Sequence, residues 1–347
     1  MYVRRLTRLP KSTRPPLDPS TILLKPGQVL ILIRSLQNIT GHFIHAGRSD
    51  LPFTYHISRT HTGGSYAWRQ ASAYQNGNKT PSFIATMSFK RPESHDVRNV
   101  PIAHQSEPTT YLREKYASVL EGKEPETHPS APSADTLLWM GKPRAEGSTA
   151  GAWLPGVDIR KVDMGKYNGV VGEGGDGKVG KWRQLAFYRV LLDDEDEDGD
   201  EDDELRLHIS AHLYASDRNS LFLIQRAYGY AQRETGMGSL GHTVIFHGAA
   251  ERLRMVDKGT KKRRWFVQEA YTSNSGENRG CHESRLWDWE KGEVVATTLQ
   301  DGMVRISSKK PDGQGHVEEA VGENKRRRRA QRVEMEGEEA GLVKGKL

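Results

Sequence analysis

Apolar and polar residues alternate from Leu205 to Tyr214: Leu205, Leu207, Ile209, Ala211 and Leu213 fall on one side, Arg206, His208, Ser210, His212 and Tyr214 on the other. Period two predicts a strand with one buried face. The alternation breaks at Tyr214-Ala215-Ser216-Asp217. Leu221-Phe222-Leu223-Ile224 with Ala227 and Tyr228 then predicts a buried helix, for which Ser216 or Asp217 is a natural N-cap. A second strand is predicted from Leu240 to His247. A carboxylate where a strand hands over to a buried helix is a place to look for chemistry.

Similar patterning organises the rest of the chain. Phe53 to Thr62, Ser65 to Gln75 and Thr80 to Lys90 read as an antiparallel meander, with Gly63-Gly64 and Asn76-Gly77 supplying the positive φ of tight turns. Residues 94–150, rich in Pro, Ser, Glu and Lys, read as a surface linker with one short helix from Tyr111 to Leu120. A loop from Asn168 to Gly180 precedes a strand at Leu185 to Leu192. A second meander is predicted from Trp265 to Asn274, Arg279 to Trp289 and Val294 to Ile306. It repeats the first: Phe83-Ile84-Ala85-Thr86-Met87 after a turn corresponds to Val294-Val295-Ala296-Thr297-Thr298 after Glu290-Lys291-Gly292. Residues 1–40 form a poorly patterned leader, and residues 307–347 carry the composition of a disordered tail.

Composition narrows the classes. The chain's 347 residues suffice for two ordinary domains. One cysteine, Cys281, excludes an internal disulfide and fits a reducing compartment. No apolar run reaches the roughly 18 residues a membrane span needs. The net charge of +6 is segregated into an acidic block, Asp193 to Glu204, and a basic run, Lys325 to Arg329. Both belong to loops or tails, so the basic balance is weak support for nucleic-acid binding. The basic run reads equally as a nuclear localisation signal or a solvated tail.

Several motifs fail on inspection. Gly172 to Lys178 has Walker-like glycine and lysine spacing, but Val179 replaces the hydroxyl that would hold Mg²⁺. The acidic block starts like a calcium loop, yet Leu205 stands at the twelfth position. His208, His212, His242 and His247 have no carboxylate or cysteine partner at ligand spacing, so no metal is expected.

Beyond these, the text resembles the acyl-CoA thioesterase II (TesB-type) family from about residue 43 to 306. The matching stretches are Thr62-Gly63-Gly64-Ser65-Tyr66, Gln75-Asn76-Gly77, Thr86-Met87-Ser88-Phe89 and Pro92-Glu93. In the second half they are Asp158-Ile159-Arg160, Tyr214-Ala215-Ser216-Asp217, His242-Thr243 with Phe246-His247, and Ala296 to Gly302. The resemblance implies an α+β double hotdog: two antiparallel sheets, each wrapping a central helix. The units would be 41–93, read as truncated because only Gly27-Gln28-Val29 stands for the family's Gly-Gly-Gln-bearing helix, and 151–306, with the acidic block inserted at 193–204.

The implied activity is hydrolysis of fatty acyl-CoA to CoA and a fatty acid, without a cofactor. The residues carried over are Asp217, Ser239 and Gln300, which would bind and activate a water. Free N–H groups at the start of an Asp217 helix would stabilise the oxyanion. Local sequence by itself favours Asp217 as a cap; Ser239 and Gln300 in family order favour it as the base. In the repeat Phe89 stands opposite Gln300, so the first unit reads as non-catalytic. The alternative is a catalytically dead scaffold of the same fold. Related double hotdogs associate, so a homo-oligomer is a further expectation. Gly345-Lys346-Leu347 resembles a peroxisomal Ser-Lys-Leu signal, which places the chain in the peroxisome or cytoplasm ahead of the mitochondrion or nucleus.

Overall fold

The computed structural model describes residues 36–48, 51–90, 103–130, 157–191, 201–218, 220–231 and 233–308. The leader with Gly27-Gln28-Val29, the flanks of the linker, most of the acidic block, the basic run and the C-terminal tripeptide lie outside these residues. All elements below belong to one compact unit.

Among the described residues, ten strands form one antiparallel sheet. They are β1 (Leu36–Phe43), β2 (Thr54–Thr62), β3 (Tyr66–Tyr74), β4 (Phe83–Lys90), β5 (Val157–Lys161), β6 (Gln184–Val190), β7 (Thr235–Phe246), β8 (Phe266–Gly276), β9 (Arg279–Asp288) and β10 (Glu293–Ile306). The order is β2-β3-β4-β1-β7-β10-β9-β8-β6-β5. The two sheets expected of a double hotdog therefore meet edge to edge along β1 and β7. Each half repeats one arrangement: β1, β4, β3 and β2 correspond to β7, β10, β9 and β8. Register agrees as well, since Ile39 pairs with Met87 as Val244 pairs with Thr298. That is the alignment of Ala85-Thr86 on Ala296-Thr297.

The predicted strand at Leu205 to Tyr214 is a helix. Helix α4 (Glu201–Asp217) follows α1 (Tyr111–Lys115), α2 (Ala117–Leu120) and α3 (Gly165–Asn168), and precedes α5 (Phe222–Ala227). The reason lies in what it buries: Leu205, His208, Ile209, His212, Ala215 and Ser216 are all within the core. Those spacings are the i, i+3, i+4, i+7 stripe of an amphipathic helix. Three of the six are polar, so counting them as solvent-facing mimics period two. The end of the acidic block, residues 201–204, is the first turn of this helix rather than part of a hairpin insertion.

His212 is fully satisfied: Tyr188 Oη lies 2.8 Å from Nδ1, and Nε2 donates to the Leu253 carbonyl at 2.9 Å. Helix α4 and the inner sheet face share a core that includes Val244, Phe246, Phe266, Leu286 and Ala296. The linker is also more than a surface strap. Leu112, Tyr116, Val119 and Leu120 bury against Leu185, Phe187, Val267 and Trp287 on the opposite face. Glu269, buried there, accepts from Tyr111, Tyr116 and Lys115.

The turns divide. Asn76 and Gly77 adopt positive φ, 54° and 68°, as their sequence requires. Gly63 and Gly64 do not; that hairpin closes through the Gly63 amide to the Tyr66 carbonyl, 2.8 Å.

Candidate active site

Three elements bring Asp217, Ser239 and Gln300 together. Asp217 is the last residue of α4, Ser239 lies on β7 and Gln300 on β10. Gln300 Nε2 donates to Asp217 Oδ1 at 2.6 Å and to Ser239 Oγ at 2.8 Å. The amide is fully buried, whereas the Asp217 side chain is 49% exposed. One carboxylate oxygen is thus fastened to the sheet while the group stays open to solvent.

Ser239 reaches this place through an irregularity. Gln300 pairs with His242 and Asp301 with Gly241, but Gly302 pairs with Ser239, so Leu240 is an extra residue on β7. In a regular strand a residue three before His242 points to the opposite face. The bulge restores Ser239 to the inner face beside Gln300, the re-aiming that bulges provide near functional sites.

Asp217 closes its helix instead of opening one. The expected N-cap role is absent, and so are the free N–H groups assigned to the oxyanion. The last turn presents carbonyls, the negative end of the helix dipole. Side chains hold two of these: Ser216 Oγ donates to the Leu213 carbonyl at 2.7 Å, and Gln268 Nε2 to the Ser216 carbonyl at 3.3 Å.

Two histidines flank Gln300 on its neighbouring strands. His242 on β7 has Nδ1 3.9 Å from Asp217 Oδ1 and Nε2 3.3 Å from Ser216 Oγ. Burial pushes its pKa down, against the pull of the Asp217 carboxylate. His282 on β9, also paired with Gln300, is pushed down to about 3 by burial, with His242 adding to the shift. Both rings are neutral at physiological pH. Sequence reading passed over His282; its signal was the inner-face parity it shares with Ser284 once the turn at Glu290-Lys291-Gly292 sets the β9–β10 register. His247 follows β7, half-buried and away from the inner core, with Nε2 2.9 Å from Thr297 Oγ1. Among the described residues no cluster of His, Cys, Asp and Glu could hold a metal ion.

A central helix wrapped by an antiparallel sheet is the hotdog fold. Comparison with known proteins agrees. The family profile described as acyl-CoA thioesterase C-terminal domain matches residues 125–304. Acyl-coenzyme A thioesterase 8 of Homo sapiens is 25% identical over 266 residues, covering 76% of this chain and 72% of that protein. Its counterpart in Rattus norvegicus is 23% identical, with 76% and 71% covered. An acyl-CoA thioesterase II, TesB2, from Mycobacterium marinum shares the fold, with a TM-score of 0.51, 19% identity and 80% and 82% of the two chains covered. The chain belongs to the acyl-CoA thioesterase family, whose profile spans just over half of it, and is a thioester hydrolase.

Proposed function

We propose that this protein hydrolyses fatty acyl-CoA to CoA and a free fatty acid, with Asp217, Ser239 and Gln300 activating a water. The observation that supports it most is the single Gln300 amide nitrogen donating to both Asp217 and Ser239. That geometry fixes the carboxylate as an acceptor beside a hydroxyl, where a water can be oriented toward a thioester carbonyl. Asp217 takes a proton from the water as its oxygen attacks the carbonyl carbon. The tetrahedral intermediate then collapses, the C–S bond breaks, and the proton passes to the CoA thiolate. Ser239, which accepts from Gln300, keeps its own O–H to donate to the water or the oxyanion. No covalent enzyme intermediate is needed.

Residues 151–306 form the catalytic unit in this reading, and residues 41–93 a non-catalytic one in which Phe89 replaces Gln300. The test is release of free thiol from acyl-CoA esters of graded chain length by the full chain. Asp217→Asn should lower kcat by about 10²-fold or more, at unchanged melting temperature. Release that survives this substitution undiminished would remove Asp217 from the mechanism. A wild-type chain that binds acyl-CoA without releasing thiol is instead an inactive scaffold.

A further inference from the structure

Half of the Gln300 amide has a task and half does not. Nε2 makes both bonds of the site, while Oε1 is buried and has no hydrogen-bond partner among the described residues. Rotating the amide by half a turn would set that oxygen against the Asp217 carboxylate, so its orientation decides whether the site is assembled. A buried carbonyl left unserved is itself unfavourable.

The complementary group stands on the next strand. His282, 1% exposed, pairs directly with Gln300, and its Nδ1 is likewise buried without a partner among the described residues. Directly paired residues project to one face of a sheet, so ring and amide are neighbours. The repeat shows that packing does not demand a histidine here. The row His282–Gln300–His242 corresponds to Ala67–Phe89–Leu36 in the first half, three buried apolar residues in the same cross-strand pairing. Where the fold needs only to fill this row, it uses hydrocarbon.

We infer that His282 is a positioning residue for Gln300, its Nδ1 serving Oε1 across one shared water and so holding Nε2 toward Asp217 and Ser239. This role rests on the reaction proposed above, but its structural half is separable.

The test compares full-length wild type with His282→Asn, whose side-chain nitrogen can occupy the place of Nδ1, and with His282→Leu, which offers no donor. His282→Ala, the residue type of the first half, serves if the leucine variant does not fold. Two readouts are taken: steady-state CoA release, and hydrogen-exchange protection of the Gln300 side-chain amide, assigned by its loss in Gln300→Glu. The apolar variants should lose about tenfold or more in kcat, with KM within about twofold, and the Gln300 amide should lose protection. His282→Asn should retain both. Equal losses in the asparagine and apolar variants would reduce His282 to packing and overturn the inference, as would wild-type behaviour in all. If the wild type releases no CoA, the proposed function falls alone. The amide signal then still decides: protection lost only in the apolar variants upholds the positioning role, and equal protection in all removes it.

Discussion

Asp217 carries opposite demands: one oxygen is fastened to a fully buried amide, and about half the side chain faces solvent. Gln300→Glu replaces the donor with a second carboxylate at the same place. Like charges this close raise one pKa, and a carboxylate base works only when ionised. The acidic limb of kcat/KM should therefore move to higher pH by about one unit or more, measured as a pH–rate profile against wild type. The buried histidines set a separate dependence on stability. Burial holds His208 near about 4, and His212 and His282 near about 3, below the value of about 6.5 expected in the unfolded chain. With folded values depressed, this stability is complete above about pH 6.5 and is lost as pH falls toward the folded values, at about 1.4 kcal/mol per pH unit for each ring. Melting temperatures at pH 7 and pH 5 check the sign, and His282→Asn should flatten the slope by about one proton. The three proposed site residues were picked out in the text by family order, and the fold brings them together. The local reading of Asp217 as an N-cap failed because it depended on the preceding segment being a strand.

Helix α4 shows why pattern alone misleads when polar side chains are core residues. His208, His212 and Ser216 occupy the buried stripe, and only tertiary context reveals that burial. Strand β1 was hidden for another reason: Leu36-Gln37-Asn38-Ile39-Thr40-Gly41-His42-Phe43 does not alternate, and its strand formers Ile39, Thr40 and Phe43 are flanked by Asn38, Gly41 and His42. The start of β7 was hidden by Gly236 and Gly238. Where hairpin chemistry is strong, as at Asn76-Gly77, the text was sufficient. The bulge on β7 makes its own prediction. A Cβ on Gly302 would stand 2.3 Å from Leu221 Cδ1 and 2.9 Å from the Gly238 carbonyl oxygen. Gly302→Ala must displace the strand that presents Ser239. It should cost about 1–3 kcal/mol of stability in denaturant titration and lower kcat in the folded fraction, whereas Gly276→Ala, in open space on β8, should do neither.

Across the whole molecule, two copies of one strand order carry different chemistry. The shared register was foreseeable from the Ala-Thr repeat, but the joining of the halves through β1 and β7 was not, because no local signal names a distant partner. The outer face is held by Glu269, whose carboxylate gathers Tyr111, Tyr116 and Lys115 from the linker. Glu269→Ala leaves the buried Tyr116 phenol, the part-buried Tyr111 phenol and the part-exposed Lys115 ammonium without their acceptor. It should cost about 1–3 kcal/mol by denaturant titration while leaving the acid limb of the pH–rate profile in place.

The β1–β7 ladder also has a consequence in time. Thr40 and Thr243 meet across it, 203 residues apart in the chain. On the ribosome β1 emerges long before its partner, and at 5–20 residues per second that interval is about 10–40 s. Once β4 has followed, β1 has it on one side and no β7 on the other. The nascent chain thus carries an open strand edge until β7, the strand of Ser239, emerges to close it.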